Sequence, residues 1–290
     1  MNQRRRNVLP LNKVKVDDFF WNKYTRLVTD QIIPYQWEAL NDRVEDAEPS
    51  HCIKNFEIAA GLCKGEFEGA VFQDTDLAKW LEAVAYSLAY EPDAELEKRA
   101  DAMIDLIGKA QQPDGYLDTY FIIKEPDKKF CNLREGHELY TAGHFMEAAV
   151  AYYQVTGKEK FLHIMQRVAD LICEVFHQEA FQQAVPGHEE VEIGLIRLYQ
   201  VTGERRYLEM AKDFVDTTVE PVVTYERGLL GGTDVIRLSG KRMDAEAWSS
   251  DALYAEKRVP LKETELTLVP YCYWGNRKTG EMQTWMKFLQ

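Results

Sequence analysis

Apolar residues recur every three or four positions through the first 216 residues, a spacing that is typical of amphipathic α-helices. The pattern predicts one helix over residues 17–37, a second that begins at Asp74 or Asp76, and a third over 94–111. Turn residues at 113–115 end the third helix. In total, the pattern predicts about eight helices before residue 217.

A ten-residue segment of this helical part is repeated once. Residues 153–162 (YQVTGKEKFL) are echoed by residues 199–208 (YQVTGERRYL), each position 46 residues after its counterpart. Both copies indicate a helix end, a glycine at the C′ position, a short turn and a new amphipathic helix. Gly-His-Glu triplets at 136–138 and 187–189 precede the two copies. Such a period is typical of stacked helical hairpins, either in a solenoid or in a closed toroid.

Beyond Thr217 the pattern changes to short segments rich in β-branched and aromatic residues, separated by glycine and proline. These segments are 222–225, 234–238, 265–273 and 283–288. We therefore expect a mainly α fold with a β tail. A helical domain would span residues 1–217, and a β-sandwich remnant would span 218–290, too short for a full sandwich of about 100 residues.

Composition indicates a folded protein with an acidic surface. The 290 residues are 46% apolar and 29% charged, and the formal net charge is −13. This field repels nucleic acid and anionic membranes, so neither is an expected partner. No apolar run approaches the roughly 20 residues that cross a bilayer, and no apolar signal segment follows the arginines at 4–6.

The five cysteines point to a reducing compartment. They are odd in number and far apart, without a Cys-x-x-Cys pair, so we expect neither a disulfide framework nor a zinc site built from them alone. A cytoplasmic location follows as the expectation.

Several motifs, taken in order, resemble one enzyme family. They are FQDTDLAKWLE at 72–82, QQPDGYLDT at 111–119, HELYTAGH at 137–144, GHEEVEI at 187–193, LVPYCYWGNR at 268–277 and GEM at 280–282. Together they resemble the β-L-arabinofuranosidases of glycoside hydrolase family 127, over most of residues 15–216 and 228–286. The resemblance implies an (α/α)6 six-hairpin toroid followed by β-sandwich domains, and retaining hydrolysis of β-L-arabinofuranosides in plant glycans or glycoproteins.

The resemblance also implies a reactive centre that this sequence does not contain. Family members use a zinc-bound cysteine thiolate as nucleophile and a glutamate as acid/base, with zinc ligands from a Glu-x-Cys motif and a Cys-Cys pair. Neither motif occurs in the 290 residues. The order of motifs passes from the helical repeat to what resembles the last β-domain. We therefore expect an internally shortened member, inactive or weak as a catalyst, without a cofactor in this chain.

The resemblance assigns sugar contacts to His137 and His188, since imidazole offers a donor and an acceptor to neighbouring hydroxyls. The alternative is that each histidine caps the helix that follows it. His144 lies two turns after His137 on one helix face, so it is expected to line the same cavity. A metal site there would need a third ligand, which the sequence does not reveal. Asp114 and Tyr116, at a helix-to-loop junction, either form the rim of the sugar site or only a turn.

Three further residues have a structural and a functional interpretation. Asp74 and Asp76 are a carboxylate pair suited to acid/base catalysis, but their position favours helix initiation. Trp80 is either a sugar-stacking platform or part of the core. Cys272 lies in the terminal β motif, so we do not identify it with the family nucleophile.

Other functions stay open at this point. One is a non-catalytic carbohydrate-binding or interaction module, and another is an inverting glycosidase with Asp74 or Glu138 as the acid. A third hypothesis is that the shortened sequence reflects a gene deletion or an assembly error and has no selected role. Eight helices cannot close a ring of twelve, so two apolar edges would be exposed, or covered by the β segment or by a second copy of the chain.

Overall fold

A computed structural model describes residues 13–181, 184 and 186–217, together with the backbone of 221–226, 234–240 and 256–259. The chain divides into two compact units, Met1–Phe214 and Val215–Gln290. The domain boundary that the sequence predicts, after residue 217, stays a prediction. The identity of the second unit as a β-sandwich remnant stays a prediction.

The first unit is built of α-helices, as the apolar spacing predicts. They are α1 (Phe19–Leu27), α2 (Ile33–Leu40), α3 (Cys52–Ala59), α4 (Asp74–Tyr90), α5 (Ala94–Ala110), α6 (Thr119–Ile123), α7 (Glu138–Thr156), α8 (Lys160–Phe176), α9 (Val191–Thr202) and α10 (Arg205–Thr217). A π-helical turn, Val28–Ile32, joins α1 and α2 into one continuous helix. None of the described helices has the length and apolar composition that crossing a bilayer requires.

Helix α7 is the centre of this unit. It packs against α4 on one side, α9 on the other, and α8. Its buried side chains, among them Phe145, Met146 and Tyr152, lie on all faces of the helix. A helix with buried side chains on all faces is expected inside a layered helical domain.

Two glycines allow α7 and α9 to approach each other closely. A Cβ atom on Gly143 would lie 2.7 Å from the backbone of Glu190, and one on Gly194 would lie 2.9 Å from the carbonyl oxygen of Gly143. Any side chain at these positions would push the helices apart. The close approach brings Glu190, just before α9, against α7.

The two copies of the sequence repeat form the same turn. Gly157 follows α7 with φ +74° and Gly203 follows α9 with φ +77°, both in the left-handed region. Each glycine N–H donates to a carbonyl oxygen one helical turn earlier, of Tyr153 and Tyr199 respectively, at 2.8 Å. The predicted C′ glycines are therefore confirmed.

The start of α4 corrects one sequence interpretation. Gln73 is its N-cap residue and makes no side-chain capping bond. The carboxylate of Asp74 instead accepts hydrogen bonds from the N–H and hydroxyl of Thr119, at 2.7 and 2.5 Å. Asp76 accepts from the amide of Gln73 at 2.7 Å. Neither carboxylate caps the helix as predicted, because each has another partner, which for Asp74 lies far along the chain.

Of the two interpretations of Trp80, a sugar-stacking platform or part of the core, the structure supports the second. Its ring is buried, and its indole N–H donates to the carbonyl oxygen of Ile33 at 3.1 Å. It therefore belongs to the core and ties α4 to α2.

Three strands belong to the second unit: β1 (Pro221–Glu226), β2 (Asp234–Gly240) and β3 (Glu256–Val259). They form an antiparallel sheet in the order β1-β2-β3, with Val223 opposite Leu238. The first two overlap the predicted β segments 222–225 and 234–238. The segments predicted at 265–273 and 283–288 lie outside the described residues.

Candidate functional site

The N-terminal end of α7 and the loop before α9 bring two predicted site residues together. His137 is the N-cap residue of α7, with φ +57°, and its side chain makes no capping hydrogen bond. Its Nδ1 lies 2.7 Å from the carbonyl oxygen of Glu135. His137 therefore occupies the capping position of α7, but its imidazole bonds to the preceding loop and not to the N–H groups of the helix.

The imidazoles of His137 and His188 face each other. Their Nε2 atoms are 2.9 Å apart, and the rings stack at 4.5 Å. A carbonyl oxygen can only accept, so Nδ1 of His137 carries the proton and its Nε2 accepts from Nε2–H of His188. Burial, followed by the neighbouring His137, lowers the pKa of His188. Both effects favour the neutral form of the His188 ring.

Tyr140 connects this pair to His144. Its ring lies 5.9 Å from that of His137, 5.4 Å from that of His188 and 4.5 Å from that of His144. We refer to His137, Tyr140, His144 and His188 as the histidine cluster. Phe72, 44% exposed, lies 5.1 Å from His137 and extends the aromatic surface. Apolar ring faces with polar edges suit a sugar, whose hydroxyls and C–H groups alternate in the same way.

The inner end of the cluster meets two glutamates. Nδ1 of His144 lies 3.1 Å from Oε1 of Glu190, and one atom each of His144, Glu147 and Glu190 lies within 4.8 Å of the others. Burial, and then the charge of Lys79, lower the pKa of His144 to about 4. Burial, and then a hydrogen bond with Glu147, raise the pKa of Glu190 to about 8.

Sequence reasoning missed this grouping. His144 and Glu147 are three residues apart on α7 and share a face, a visible signal. Glu190 joins them only through the glycine contact between α7 and α9, which a single sequence does not reveal.

Glu138 lies beside His137 but points inward. Its two carboxylate oxygens accept from the N–H of Phe130, both at 2.8 Å, and Oε1 also accepts from the hydroxyl of Tyr116. Burial raises its pKa to about 7.

The two predicted rim residues bond to groups other than the imidazoles. Tyr116 is 2% exposed and donates its hydroxyl to Glu138, so the prediction of a rim position is wrong for Tyr116. Asp114 accepts from the N–H of Tyr116 at 2.9 Å and lies 3.6 Å from Nζ of Lys129. These contacts support the turn interpretation of Asp114. Its role in substrate binding stays a prediction.

Asp74, Asp118 and Glu138 are buried at the N-terminal ends of α4, α6 and α7. Burial raises the pKa of Asp74 to about 6 and that of Asp118 well above its ordinary value. A raised pKa suits a general acid. Asp74 and Glu138, the two candidate acids of the inverting alternative, are only 2% and 3% exposed and are held by other partners. The structure does not favour that alternative.

The zinc centre implied by the resemblance does not fit the cysteines that the structure describes. Burial raises the pKa of Cys52 well above its ordinary value and that of Cys173 to about 11, so both are thiols at neutral pH. Cys63 is half-buried and Cys131 is exposed, on other segments of the chain. The grouping of His144, Glu147 and Glu190 includes no cysteine. Cys272 lies outside the described residues.

Comparison with known proteins identifies the relatives of this chain. Residues 13–256 match the family model for the β-L-arabinofuranosidase GH127 catalytic domain, and residues 236–287 match the glycoside hydrolase family 127 C-terminal domain. A non-reducing end β-L-arabinofuranosidase of Bifidobacterium longum subsp. longum is 40% identical over 233 residues, which cover 74% of this chain and 35% of the relative.

Solved structures agree with the sequence matches. A GH127 β-L-arabinofuranosidase of Geobacillus stearothermophilus T6 is 57% identical, with a TM-score of 0.69 over 70% of this chain and 32% of the relative. A second GH127 β-arabinofuranosidase is 35% identical, with a TM-score of 0.65 over 72% of this chain and 33% of the relative. The chain thus spans about a third of the length of these relatives.

Proposed function

The chain belongs to glycoside hydrolase family 127, and from this we propose that it binds the L-arabinofuranosyl group of a glycan at the histidine cluster. The observation that carries the proposal is the 2.9 Å approach of the His137 and His188 Nε2 atoms at the end of α7. Two relatives are named as β-L-arabinofuranosidases, which supports this sugar as the ligand.

The geometry suits adjacent hydroxyls of a small ring. A hydroxyl between the imidazoles can donate to Nε2 of His137 and accept from Nε2–H of His188, replacing their mutual hydrogen bond. The rings of Phe72 and Tyr140 then offer apolar faces to the sugar C–H groups. Nζ of Lys79, 3.1 Å from the hydroxyl of Tyr140, adds a donor close by.

As a catalyst, we propose that this chain alone is inactive or weak. The family's Glu-x-Cys and Cys-Cys motifs do not occur in it, and the buried thiols that the structure describes are protonated at neutral pH. Loss of a nucleophile costs several orders of magnitude in rate. Retaining hydrolysis of β-L-arabinofuranosides is then the activity of the complete family enzyme. A non-catalytic sugar-binding module is the second candidate function.

We further propose that the helical unit is part of an (α/α)6 toroid. The side-by-side order of α4, α7 and α9, with α8 packed on α7 and α5 against α4 and α8, supports alternating inner and outer helices. The match to family structures supports the same arrangement.

Exposed apolar side chains support a self-associating edge. On α1 these include Phe19, Phe20 and Trp21, and on α9 they are Ile193 and Ile196. We propose that a second copy of the chain covers such an edge in a homo-oligomer. We also propose that the protein works in the cytoplasm. Light scattering coupled to gel filtration tests the first point: a monomer at micromolar concentration would refute it.

Calorimetric titration with L-arabinose tests sugar binding. We expect saturable binding to the wild-type chain and to His163→Ala, which removes an exposed histidine on α8. His137→Ala and His188→Ala should each weaken binding at least tenfold, because each removes one partner of the shared hydroxyl. No binding by the wild-type chain, or unchanged binding by both variants, would refute the proposal.

An assay with an aryl β-L-arabinofuranoside and added zinc tests the catalytic proposal separately. We expect a rate several orders of magnitude below that of a full-length relative. Turnover at the rate of the relative would show that the chain carries a complete reactive centre.

A further inference from the structure

We propose that His144, Glu147 and Glu190 form a binding site for a divalent transition-metal ion, with Zn²⁺ as the first expectation. The three side chains supply one imidazole nitrogen and two carboxylate oxygens, and both kinds of atom are zinc ligands in proteins. No cysteine takes part, so the site differs from the thiolate centre implied by the family resemblance.

The imidazole of His144 and the carboxylate of Glu190 lie close together without a hydrogen bond between Nδ1 and Oε1. Nδ1 of His144 and Oε1 of Glu190 are 3.1 Å apart, yet in the described part of the chain Oε1 has no hydrogen-bond partner. Two ligands at about 2.1 Å from a tetrahedral zinc ion are about 3.4 Å apart. A small closure of Glu147, within 4.8 Å of the other two, completes three ligands around one point.

Two buried polar atoms at this place lack partners. These are Nε2 of His144 and Oε1 of Glu190, each fully shielded from solvent and without a hydrogen bond among the described residues. A buried polar atom without a partner costs about 1 to 3 kcal/mol. A bound ion would give Oε1 a partner and would fix the orientation of the imidazole.

The surroundings hold the ligands in place. Arg197 donates to Glu147 at 2.7 Å and lies 3.2 Å from Glu82, so it orients one ligand from outside, as outer partners do in metal sites. The backbone contact at Gly143 and Gly194 fixes Glu190 against α7. Lys79 acts electrostatically on both His144 and Glu190. Together with Arg197, it partly offsets the negative charge of Glu82, Glu147 and Glu190. A divalent ion must compete with these two cations.

Titration of the chelator-treated full chain with Zn²⁺, followed by calorimetry, tests the proposal. We expect one equivalent to bind, and at least a tenfold loss of affinity in His144→Ala and in Glu190→Gln. His163→Ala should bind as the wild-type chain does, because its exposed histidine pairs with a glutamate on another face.

The double variant His137→Ala/His188→Ala separates this site from the sugar site. It should lose binding of L-arabinose but keep its affinity for Zn²⁺ within twofold. Loss of zinc binding in this variant would place the ion at the histidine pair and overturn the proposal. A wild-type chain that binds no zinc would also overturn it.

Co²⁺ spectroscopy covers the case in which a variant fails to fold. Co²⁺ bound by one imidazole and two carboxylates should absorb in the visible range, and Glu147→Gln, folded by circular dichroism, should shift the band. A Co²⁺ spectrum in the wild-type chain that matches the hydrated ion would contradict the site.

Discussion

The two copies of the repeat, α7–α8 and α9–α10, share a turn but differ in burial. The left-handed glycines Gly157 and Gly203 have nearly the same φ and the same hydrogen bond. Val150 on α7 is 3% exposed, whereas its counterpart Ile196 on α9 is 36% exposed. Local sequence therefore determines the turn, but the neighbours of each hairpin determine which faces are buried.

The two Gly-His-Glu triplets differ in the same way. Both histidines reach the cluster, but the glutamate after His137 is 3% exposed while Glu189, after His188, is exposed. The first copy buries its acid beneath α7, and the second leaves it in solvent. The proposed sugar site therefore uses the histidine of each triplet, whereas the two glutamates lie in different surroundings.

The largest expected effect comes from a substitution that gives α9 the residue found at the matching position of α7. Gly194→Ala gives α9 the residue that α7 has at the matching position, Ala148. Its Cβ would lie 2.9 Å from the carbonyl oxygen of Gly143, so we expect a loss of about 2 to 3 kcal/mol in the free energy of unfolding, measured in urea.

Gly108→Ala is the matched control for this change. Its added Cβ meets the flexible ends of Ile164, at 3.0 Å, and Lys160, at 4.0 Å, and alanine is the better helix former. Its stability should be unchanged or slightly higher. If both variants lose the same stability, the close approach of α7 and α9 is not the cause.

The second expectation concerns the pH dependence of the buried glutamate. The pKa of Glu138 is about 7 in the folded chain against 4.5 in its ordinary state, so the folded state holds the extra proton between these values. Its contribution to stability is therefore present below pH 4.5 and is lost as the pH rises to about 7.

Glu138→Gln should remove this pH dependence of the free energy of unfolding, about 3 kcal/mol between pH 4.5 and pH 7. Urea unfolding at pH 4.5, 6 and 7.5 measures it, and Glu189→Gln, at the exposed counterpart, should reproduce the wild-type slope. A wild-type slope in Glu138→Gln would contradict the burial of a protonated carboxyl.

The third expectation compares the two apolar counterparts. Val150→Ala should cost about 1.5 kcal/mol or more, because it removes two buried methyl groups and leaves a cavity. Where no second copy covers α9, Ile196→Ala removes more atoms but should cost under about 1 kcal/mol, because the side chain is partly in solvent. The reverse order would show that α9 is covered in solution.

The smallest expected effect is a similar, small loss of stability in two glycine variants. Gly157→Ala and Gly203→Ala should each cost about 1 kcal/mol, since a Cβ meets nothing within 4 Å and only the left-handed backbone is strained. Urea unfolding should place the two values within about 0.5 kcal/mol of each other. A larger difference would show that the turns are not equivalent.

Much of the fold follows from local pattern. Apolar spacing predicts the long helices, and the two repeated glycines predict their turns. The role of Asp74 is not predictable in this way, because its partner Thr119 is remote in sequence and overrides the local capping preference.

The site was predictable in part. Motif resemblance located His137 and His188, and helical spacing added His144. The fold gathers all three around Tyr140. It could not reveal that Tyr116 turns inward to Glu138 or that Glu190 reaches His144, since both depend on how neighbouring elements pack.

A crystal structure of the chain grown with L-arabinose tests the central claim most directly. The account predicts one sugar at the end of α7, with hydroxyls within about 3.2 Å of Nε2 of both His137 and His188. A sugar bound elsewhere, or an undisturbed histidine pair at saturating sugar, would contradict it.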